Sequence, residues 1–160
     1  MAEGADNRKI AQAKMEAICS RREYCTADIR EKLRRYLLPE EAVEEIISSL
    51  KSNRYLDDSR YAAAYARDKS SLAGWGARKI EFALRRKGVA LEVIREALCD
   101  IDKGKISERM QEVVLRKWQS LSKEEDLEKR RIKTIKFALG RGYSFEEVSS
   151  FVQGLKNSKI

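Results

Sequence analysis

The stretch Ile80-Glu81-Phe82-Ala83-Leu84 recurs 55 residues later as Ile135-Lys136-Phe137-Ala138-Leu139, and this repetition decides the fold. A weaker copy begins 51 residues before the first stretch, with Ile29 and Leu33. In each copy the apolar residues return every three or four positions, which is the spacing of one helix face. A helical pattern that recurs at such a period predicts tandem helical modules.

The charges follow the same register. Three basic segments recur along the chain, at residues 21–36, 75–88 and 128–143. They hold six, five and six basic residues against three, one and one acidic residues. An acidic segment follows each of them, at residues 37–52, 89–102 and 144–154. The sign of the charge therefore alternates three times, which predicts three repeats rather than one long charged helix.

Each repeat has room for a third helix before its basic segment. The nine predicted helices cover residues 8–20, 26–36, 39–52, 58–71, 76–87, 90–101, 105–121, 125–140 and 144–155. We therefore predict an all-α fold of three three-helix repeats, at residues 8–52, 53–102 and 103–156. Modules of this size gain stability by stacking on their neighbours, so we expect an elongated, curved body.

Local signals place several helix ends. Thr26, Asp57 and Ser144 are predicted N-caps, because their side-chain oxygens can accept hydrogen bonds from the first helical N–H groups. Gly88 and Gly142 are predicted to follow helix C-termini, where a positive φ is needed.

The composition excludes several classes of function. The chain of 160 residues has no histidine, which removes every Ser-His or Cys-His nucleophile. Its three cysteines do not form a CxxC pair, and Cys19 and Cys99 lie on apolar faces where we expect packed thiols. We therefore predict a protein that is not an enzyme and has no catalytic site, no metal and no cofactor.

A net charge of +8 favours anionic partners. No apolar stretch approaches the roughly 18 residues of a membrane span, and the N-terminus lacks an apolar signal core, so we expect a cytoplasmic protein with no membrane partner.

Arginine occupies an equivalent place in each repeat, at Arg35, Arg86 and Arg141, and its guanidinium can bind phosphate or carboxylate in a fork. The surplus of positive charge is largest in the second and third repeats. We predict that these repeats bind a polyanion through Arg78, Lys79, Arg85, Arg86, Lys87, Lys129, Arg130, Arg131, Lys133, Lys136 and Arg141. The alternative is that these residues form solvated faces, neutralised by the acidic helix of the same repeat.

Apolar and aromatic residues of the third repeat complete the prediction. Ile132, Ile135, Ala138 and Leu139 share one face of the predicted helix 125–140, and we expect this face to be buried. Trp118 is expected in the core. Phe82 and Phe137 lie off the main apolar faces, so stacking on bases and packing in the core both stay open for them.

Three motifs carry a resemblance to a known family. The runs Tyr55-Leu56-Asp57-Asp58-Ser59-Arg60-Tyr61-Ala62, Gly74-Trp75-Gly76-Ala77-Arg78-Lys79-Ile80 and Leu84-Arg85-Arg86-Lys87-Gly88 resemble the signature of the RecX regulatory proteins. The resemblance covers roughly residues 10 to 155. It marks a set of fold-defining positions: Tyr55, Asp57, Asp58, Tyr61, Gly74, Trp75, Gly76, Ile80, Leu84 and Gly88.

The resemblance implies a specific function. RecX proteins bind within the helical groove of the RecA recombinase filament on single-stranded DNA and restrain its ATPase, strand-exchange and coprotease activities. They also bind DNA, and we expect single- and double-stranded DNA as partners of a monomeric protein that modulates DNA repair, recombination and the SOS response. Two alternatives stay open. A general DNA-binding module would bind naked DNA as tightly as filaments, and a helical-repeat adaptor for an acidic protein would be indifferent to DNA.

Overall fold

The computed structural model describes residues 2–158, and within this range the chain forms nine α-helices and one short 3₁₀ segment. The helices are α1 (Ala2–Cys19), α2 (Thr26–Leu33), α3 (Glu40–Ser52), α4 (Asp58–Ser71), α5 (Ala77–Arg86), α6 (Leu91–Cys99), α7 (Lys103–Ser120), α8 (Leu127–Gly140) and α9 (Phe145–Ser158). The 3₁₀ segment, Arg34–Tyr36, follows α2 directly. No strand occurs among the described residues, so the predicted all-α fold is confirmed.

The helices are organised into two compact units. Among the described residues, the first unit comprises 2–64 and 84–94, and the second comprises 65–83 and 95–158. Helices α4, α5 and α6 each contribute residues to both units. The three predicted repeats therefore do not coincide with the compact units, and the repeat boundaries stay a prediction.

The first unit has an apolar core formed by α1, α2 and α3. Ile29, Leu33, Ile46 and Leu50 are fully buried in it. They come from the faces that the helical spacing predicts, and burying each such side chain contributes about 1.5–3 kcal/mol. Around the core, ion pairs join the helices, and the pairs Arg8–Glu45 and Arg30–Glu44 connect α1 and α2 to the acidic helix α3.

Helix α1 begins six residues earlier than predicted. The Asn7 side-chain amide donates to the carbonyl oxygen of Tyr36 at 3.4 Å, and the Arg8 guanidinium pairs with Glu45. These contacts with residues distant in sequence stabilise the first turns of α1. The local sequence could not predict them.

Of the two N-caps predicted in the first unit, Asp57 is confirmed and Thr26 is not. Asp57 caps α4, because its carboxylate accepts from the N–H groups of Ser59 (2.9 Å) and Arg60 (3.2 Å). The prediction for Thr26 is wrong, since Thr26 is the first residue of α2 and Cys25 occupies the N-cap. Asp28 accepts from the Cys25 N–H at 3.3 Å, as in a capping box.

The second unit is built on α7, α8 and α9. Trp118, Val114, Val148 and Val152 are buried in its core with Ile135. Ser144 caps α9 as predicted, because its hydroxyl oxygen accepts from the Glu147 N–H at 3.2 Å.

The predicted buried face of α8 is only half right. Ile135 and Ala138 are buried, but Ile132 and Leu139 are 41% and 38% exposed. Thr134 and Arg130 are buried instead, because the face of α8 that contacts α7 and α9 includes these two residues.

Gly76 and Gly142 lie where two backbone segments of the second unit come into close contact. The Gly76 N–H donates to the carbonyl oxygen of Arg141 at 2.7 Å, and the Arg78 N–H donates to that of Gly142 at 3.2 Å. Gly142 has a φ of +95°, as expected after the C-terminus of α8. A Cβ atom on Gly76 would lie 2.4 Å from the backbone of Gly142, so only glycine fits there.

The cysteines differ from prediction at one position. Cys19 and Cys25 are buried free thiols, and burial raises the pKa of both. Cys99 is exposed, which contradicts the expectation of a packed thiol. It is the last residue of α6, where no following helical turn covers it.

Candidate functional site

The C-terminal end of α5 and the residue after it, Lys87, lie in the first unit and carry three of the predicted cations. Lys87 is engaged there, because its Nζ lies 2.9 Å from Oδ1 of Asp28. Desolvation raises the pKa of Asp28, but hydrogen bonds from Lys87 and Cys25 outweigh it and hold the pKa below its usual value. Arg85 and Arg86 are exposed. Lys87 therefore helps to hold α5 on α2, and Arg85 and Arg86 remain surface cations.

The N-terminal part of α5 lies in the second unit, with Arg78 and Lys79. Lys79 Nζ lies 4.4 Å from the ring centroid of Trp75, and Lys69 Nζ lies 4.7 Å from it. Tyr65 meets Trp75 edge to face, with ring centroids 6.4 Å apart. Trp75 thus gathers two lysines by cation–π attraction, whereas the Arg78 side chain is exposed.

Arg130 is not a surface residue, which corrects its place in the predicted set. It is 8% exposed, and its guanidinium donates to the carbonyl oxygen of Trp118 through Nε (3.0 Å) and Nη2 (2.6 Å). Its Cζ also lies 3.9 Å from the Trp118 ring centroid. A guanidinium held in this way joins α8 to α7 and is inaccessible to a polyanion.

Two further α8 cations pair with nearby carboxylates, but neither carboxylate belongs to the acidic segment 144–154 that the alternative named. Arg131 pairs with Glu128 at 2.7 Å, and Lys133 pairs with Glu124 at 2.8 Å. The hydrogen bond from Arg131 lowers the pKa of Glu128, and that from Lys133 lowers the pKa of Glu124. Such exposed pairs contribute little to stability, and a stronger anion can displace the carboxylate.

The remaining α8 cations form an exposed line with aliphatic residues. Lys129, Ile132, Lys136 and Leu139 are exposed and follow each other at intervals of three or four residues. Neither lysine forms an ion pair with a carboxylate in residues 2–158, although the charge of Lys129 helps to lower the pKa of Glu124. We call these four residues the α8 stripe. Because it combines positive charge with apolar surface, it suits a protein partner that presents carboxylates beside apolar side chains.

A second basic feature, which we call the α7–α8 pocket, encloses about 410 Å³ in the second unit. Four cations line it: Arg109, Arg116, Lys117 and Arg141. The described residues that line it include Phe137 but no carboxylate. Lys117 Nζ and Arg141 Cζ lie 4.9 and 5.1 Å from the Phe137 ring centroid. Phe137 therefore packs against cations rather than in the apolar core.

Main-chain carbonyl groups at the end of α4 hold two of these arginines. Arg109 donates to the carbonyl oxygens of Ser71 (3.1 Å) and Leu72 (3.3 Å), and Arg141 donates to that of Ala73 (2.9 Å). Arg109 also pairs with Glu112 at 3.1 Å. The C-terminal end of a helix attracts cations, so α4 contributes to the arrangement of the pocket.

Sequence reasoning missed Arg109, Arg116 and Lys117, because it examined only the segments that recur between repeats. A signal for them exists in α7. Residues 109, 113, 116, 117 and 120 are spaced by i, i+4, i+7, i+8 and i+11, which places them on one helix face. The basic character of that face could have been read from the sequence, but its proximity to Arg141 could not.

The family-motif positions serve the local structure. Asp57 caps α4, and Oδ1 of Asp58 accepts from the Thr26 N–H (2.8 Å) and hydroxyl (3.0 Å). Ile80 and Leu84 are fully buried, and Tyr61 is nearly so. Gly74 and Gly88 have positive φ angles after α4 and α5, and Tyr55 packs against the first core. These positions shape the fold, and Trp75 in addition contacts the basic residues Lys69 and Lys79.

Residues 2–158 contain no group of three histidine, cysteine or acidic side chains that could hold a metal ion. Within the same range, no helix combines the length and the apolar character that a membrane crossing requires.

Comparison with known proteins identifies the class. The model of the second three-helix domain of RecX matches residues 57–98, and that of the third matches residues 106–152. These matches and the nine described helices define a helical-repeat protein made of three-helix domains. The chain belongs to the RecX family.

Similar proteins support this assignment. The regulatory protein RecX of Clostridium botulinum (strain Alaska E43 / Type E3) is 35% identical over 130 residues, which cover 81% of this chain and 60% of that protein. The regulatory protein RecX of Mannheimia succiniciproducens is 29% identical, covering 84% and 87%. The chain thus spans about three fifths of the first clostridial relatives.

Solved structures agree with the fold. A crystal structure of regulatory protein RecX matches with a TM-score of 0.84 and 26% identity, covering 94% of this chain and 73% of that one. The crystal structure of RecX from Lactobacillus salivarius has a TM-score of 0.83 at 20% identity, with 94% and 97% covered, and supports the fold alone.

Proposed function

We propose that this protein binds the RecA recombinase filament on single-stranded DNA and inhibits its ATPase, strand-exchange and coprotease activities. Membership of the RecX family supports the proposal, because that family is one of regulatory proteins. The observation that carries it is the α8 stripe, an exposed surface of lysines and aliphatic side chains. In this proposal the bound protein obstructs the second DNA strand and limits subunit motion.

The surface suits a nucleoprotein filament better than naked DNA alone. Burial of Ile132 and Leu139 would favour a protein partner, since DNA offers phosphate rather than apolar surface along most of its length. The unpaired lysines of the stripe would meet acidic groups of that partner. Cations elsewhere in the second unit remain available for DNA, so both partners can be bound at once.

The test is a recombinase ATPase assay on single-stranded DNA with increasing amounts of this protein. The double substitution Lys129→Glu/Lys136→Glu should raise the inhibitory midpoint about tenfold, equivalent to about 1.4 kcal/mol of binding free energy. The matched control is Lys9→Glu/Lys51→Glu, which makes the same change of charge at exposed lysines of the first unit. Undiminished inhibition by the α8 variant would refute the assignment of the stripe, and no inhibition by the unaltered protein would refute the function.

A general DNA-binding module would give a different result. It would bind naked DNA as tightly as the filament and would inhibit only by competing for the strand. Inhibition should then vanish when DNA is in excess. Under our proposal it persists, because the protein also recognises the recombinase.

A further inference from the structure

We propose that the α7–α8 pocket binds a phosphate group of a nucleic-acid strand, with Arg116, Lys117 and Arg141 as its donors. The inference rests on the proposed function, since it names the site through which the same regulator contacts DNA. It concerns a different surface from the α8 stripe, so each can fail without the other.

The first argument is uncompensated charge. Four cations line one concave site without a carboxylate among its described lining residues, and only Arg109 has an acidic partner, Glu112, outside that lining. Elsewhere in the protein, Arg131 and Lys133 each pair with a glutamate. Mutual repulsion disfavours such a cluster in the free protein, and a bound anion would relieve it.

The second argument is hydrogen-bonding capacity. The Arg141 guanidinium uses one of its five N–H groups on the Ala73 carbonyl. Lys117 Nζ rests against the Phe137 ring and has no hydrogen-bond acceptor among the described residues. Arg116 is exposed and has no ion pair there. The pocket therefore holds several unused donors, and those of Lys117 and Arg141 are already positioned.

The third argument concerns the kind of anion. A phosphate group offers several acceptor oxygens, which match an arginine fork together with a lysine point charge. A volume of about 410 Å³ exceeds what one carboxylate fills and can hold a phosphate with its sugar. The Phe137 ring supplies an apolar wall for that sugar. These features favour a nucleotide unit of a strand over an acidic protein side chain.

The test is binding of a fluorescein-labelled single-stranded oligonucleotide of about 20 nucleotides, measured by anisotropy at several salt concentrations without recombinase. The variant is Arg116→Gln/Lys117→Gln. The control is Arg95→Gln/Lys123→Gln, which removes one arginine and one lysine at exposed positions of the same unit outside the pocket. Far-UV circular dichroism and the thermal midpoint check that both variants are folded.

We expect the pocket variant to bind at least about tenfold more weakly, since it loses two charge-assisted contacts. The slope of log K against log salt should fall by about 0.7 for each contact to a single strand. The control should keep both affinity and slope. Equal affinity and slope in the two variants would overturn the proposal, and so would the absence of oligonucleotide binding by the unaltered protein.

Competition identifies the source of the phosphate. A duplex, ATP and polyglutamate are added at equal total charge to the labelled complex. We expect the unlabelled single strand or the duplex to displace the probe best. Displacement by ATP as effective as that by the strand would assign the pocket to a free nucleotide, and equally effective displacement by polyglutamate would assign it to an acidic protein; either result would overturn the proposal. If the unaltered protein did not inhibit the recombinase, the proposed function would be contradicted. The oligonucleotide-binding results would still test the pocket independently.

Discussion

Substituting Gly76 by alanine should destabilise the second unit more than any other exchange of glycine for alanine at a negative φ. The new Cβ would lie 2.4 Å from both the carbonyl carbon and the oxygen of Gly142, and 2.6 Å from the Tyr143 nitrogen. Ordinary contact begins near 3.4 Å, so the two backbone segments must separate by about 1 Å. All three contacted atoms are backbone, so no side-chain rotation can relieve the clash.

The magnitude follows from the contacts that this separation breaks. The hydrogen bond from Gly76 to Arg141 is 2.7 Å long, and an added 1 Å carries it beyond hydrogen-bonding distance. Losing this bond and that from Arg78 to Gly142 costs about 1 kcal/mol each. Overpacking destabilises the folded protein by a further ~1–3 kcal/mol. Alanine also restricts the unfolded chain, which offsets about 0.4–1 kcal/mol of this loss. The expected net loss in the free energy of unfolding is about 2–4 kcal/mol.

Urea unfolding followed by tryptophan fluorescence measures this change selectively. The chain has two tryptophans, Trp75 and Trp118, and both lie in the second unit. With a slope of about 2 kcal/mol/M, the midpoint should fall by about 1–2 M. The control is Gly154→Ala in α9, where a Cβ meets nothing within 4 Å, and it should stabilise by about 0.5–1 kcal/mol. A Gly76→Ala protein as stable as the unaltered protein would refute the close-approach argument.

Two further predictions concern buried groups. Arg130→Ala should lower the urea midpoint, with a loss of about 2–3 kcal/mol, because the Trp118 carbonyl loses its two guanidinium hydrogen bonds and the Trp118 ring loses its cation–π contact. The neighbouring Arg131→Ala, in an exposed pair, should leave the midpoint unchanged, and equal effects of the two would contradict the buried role of Arg130. Native protein should also react rapidly with a thiol reagent such as Ellman's reagent at Cys99 alone, because burial shields Cys19 and Cys25 and raises the pKa of both. Release of three equivalents of thiol without denaturant would show that this burial is wrong.

Much of the fold could be predicted because its signals are local. The periodicity of the apolar residues predicted all nine helices described, and most boundaries were within two residues. Asp57 and Ser144 act as caps through hydrogen bonds to backbone groups two or three positions away. Such contacts depend on neighbours in sequence, which is why residue type and spacing suffice to predict them.

The errors arose where a residue's surroundings come from distant segments. Arg130 looked like every other cation of its segment, but a carbonyl oxygen twelve residues earlier holds it in the core. Cys99 and Ile132 carry apolar side chains at helical spacing, yet both are exposed. Helical spacing shows which residues share a face, and it does not show which face another helix will cover.

The sequence alone determined that this protein is a basic, all-helical chain with a repeated plan and the motifs of the RecX family, because periodicity, charge and motif spacing are properties of the linear chain. Only the tertiary structure decided which cations are free to act. It buried Arg130, paired Lys87 and Lys133 with carboxylates, and brought Arg116 and Lys117 of α7 beside Arg141, which follows α8. The physical reason is that burial and pairing depend on groups far apart in sequence, whose proximity exists only after the helices have packed.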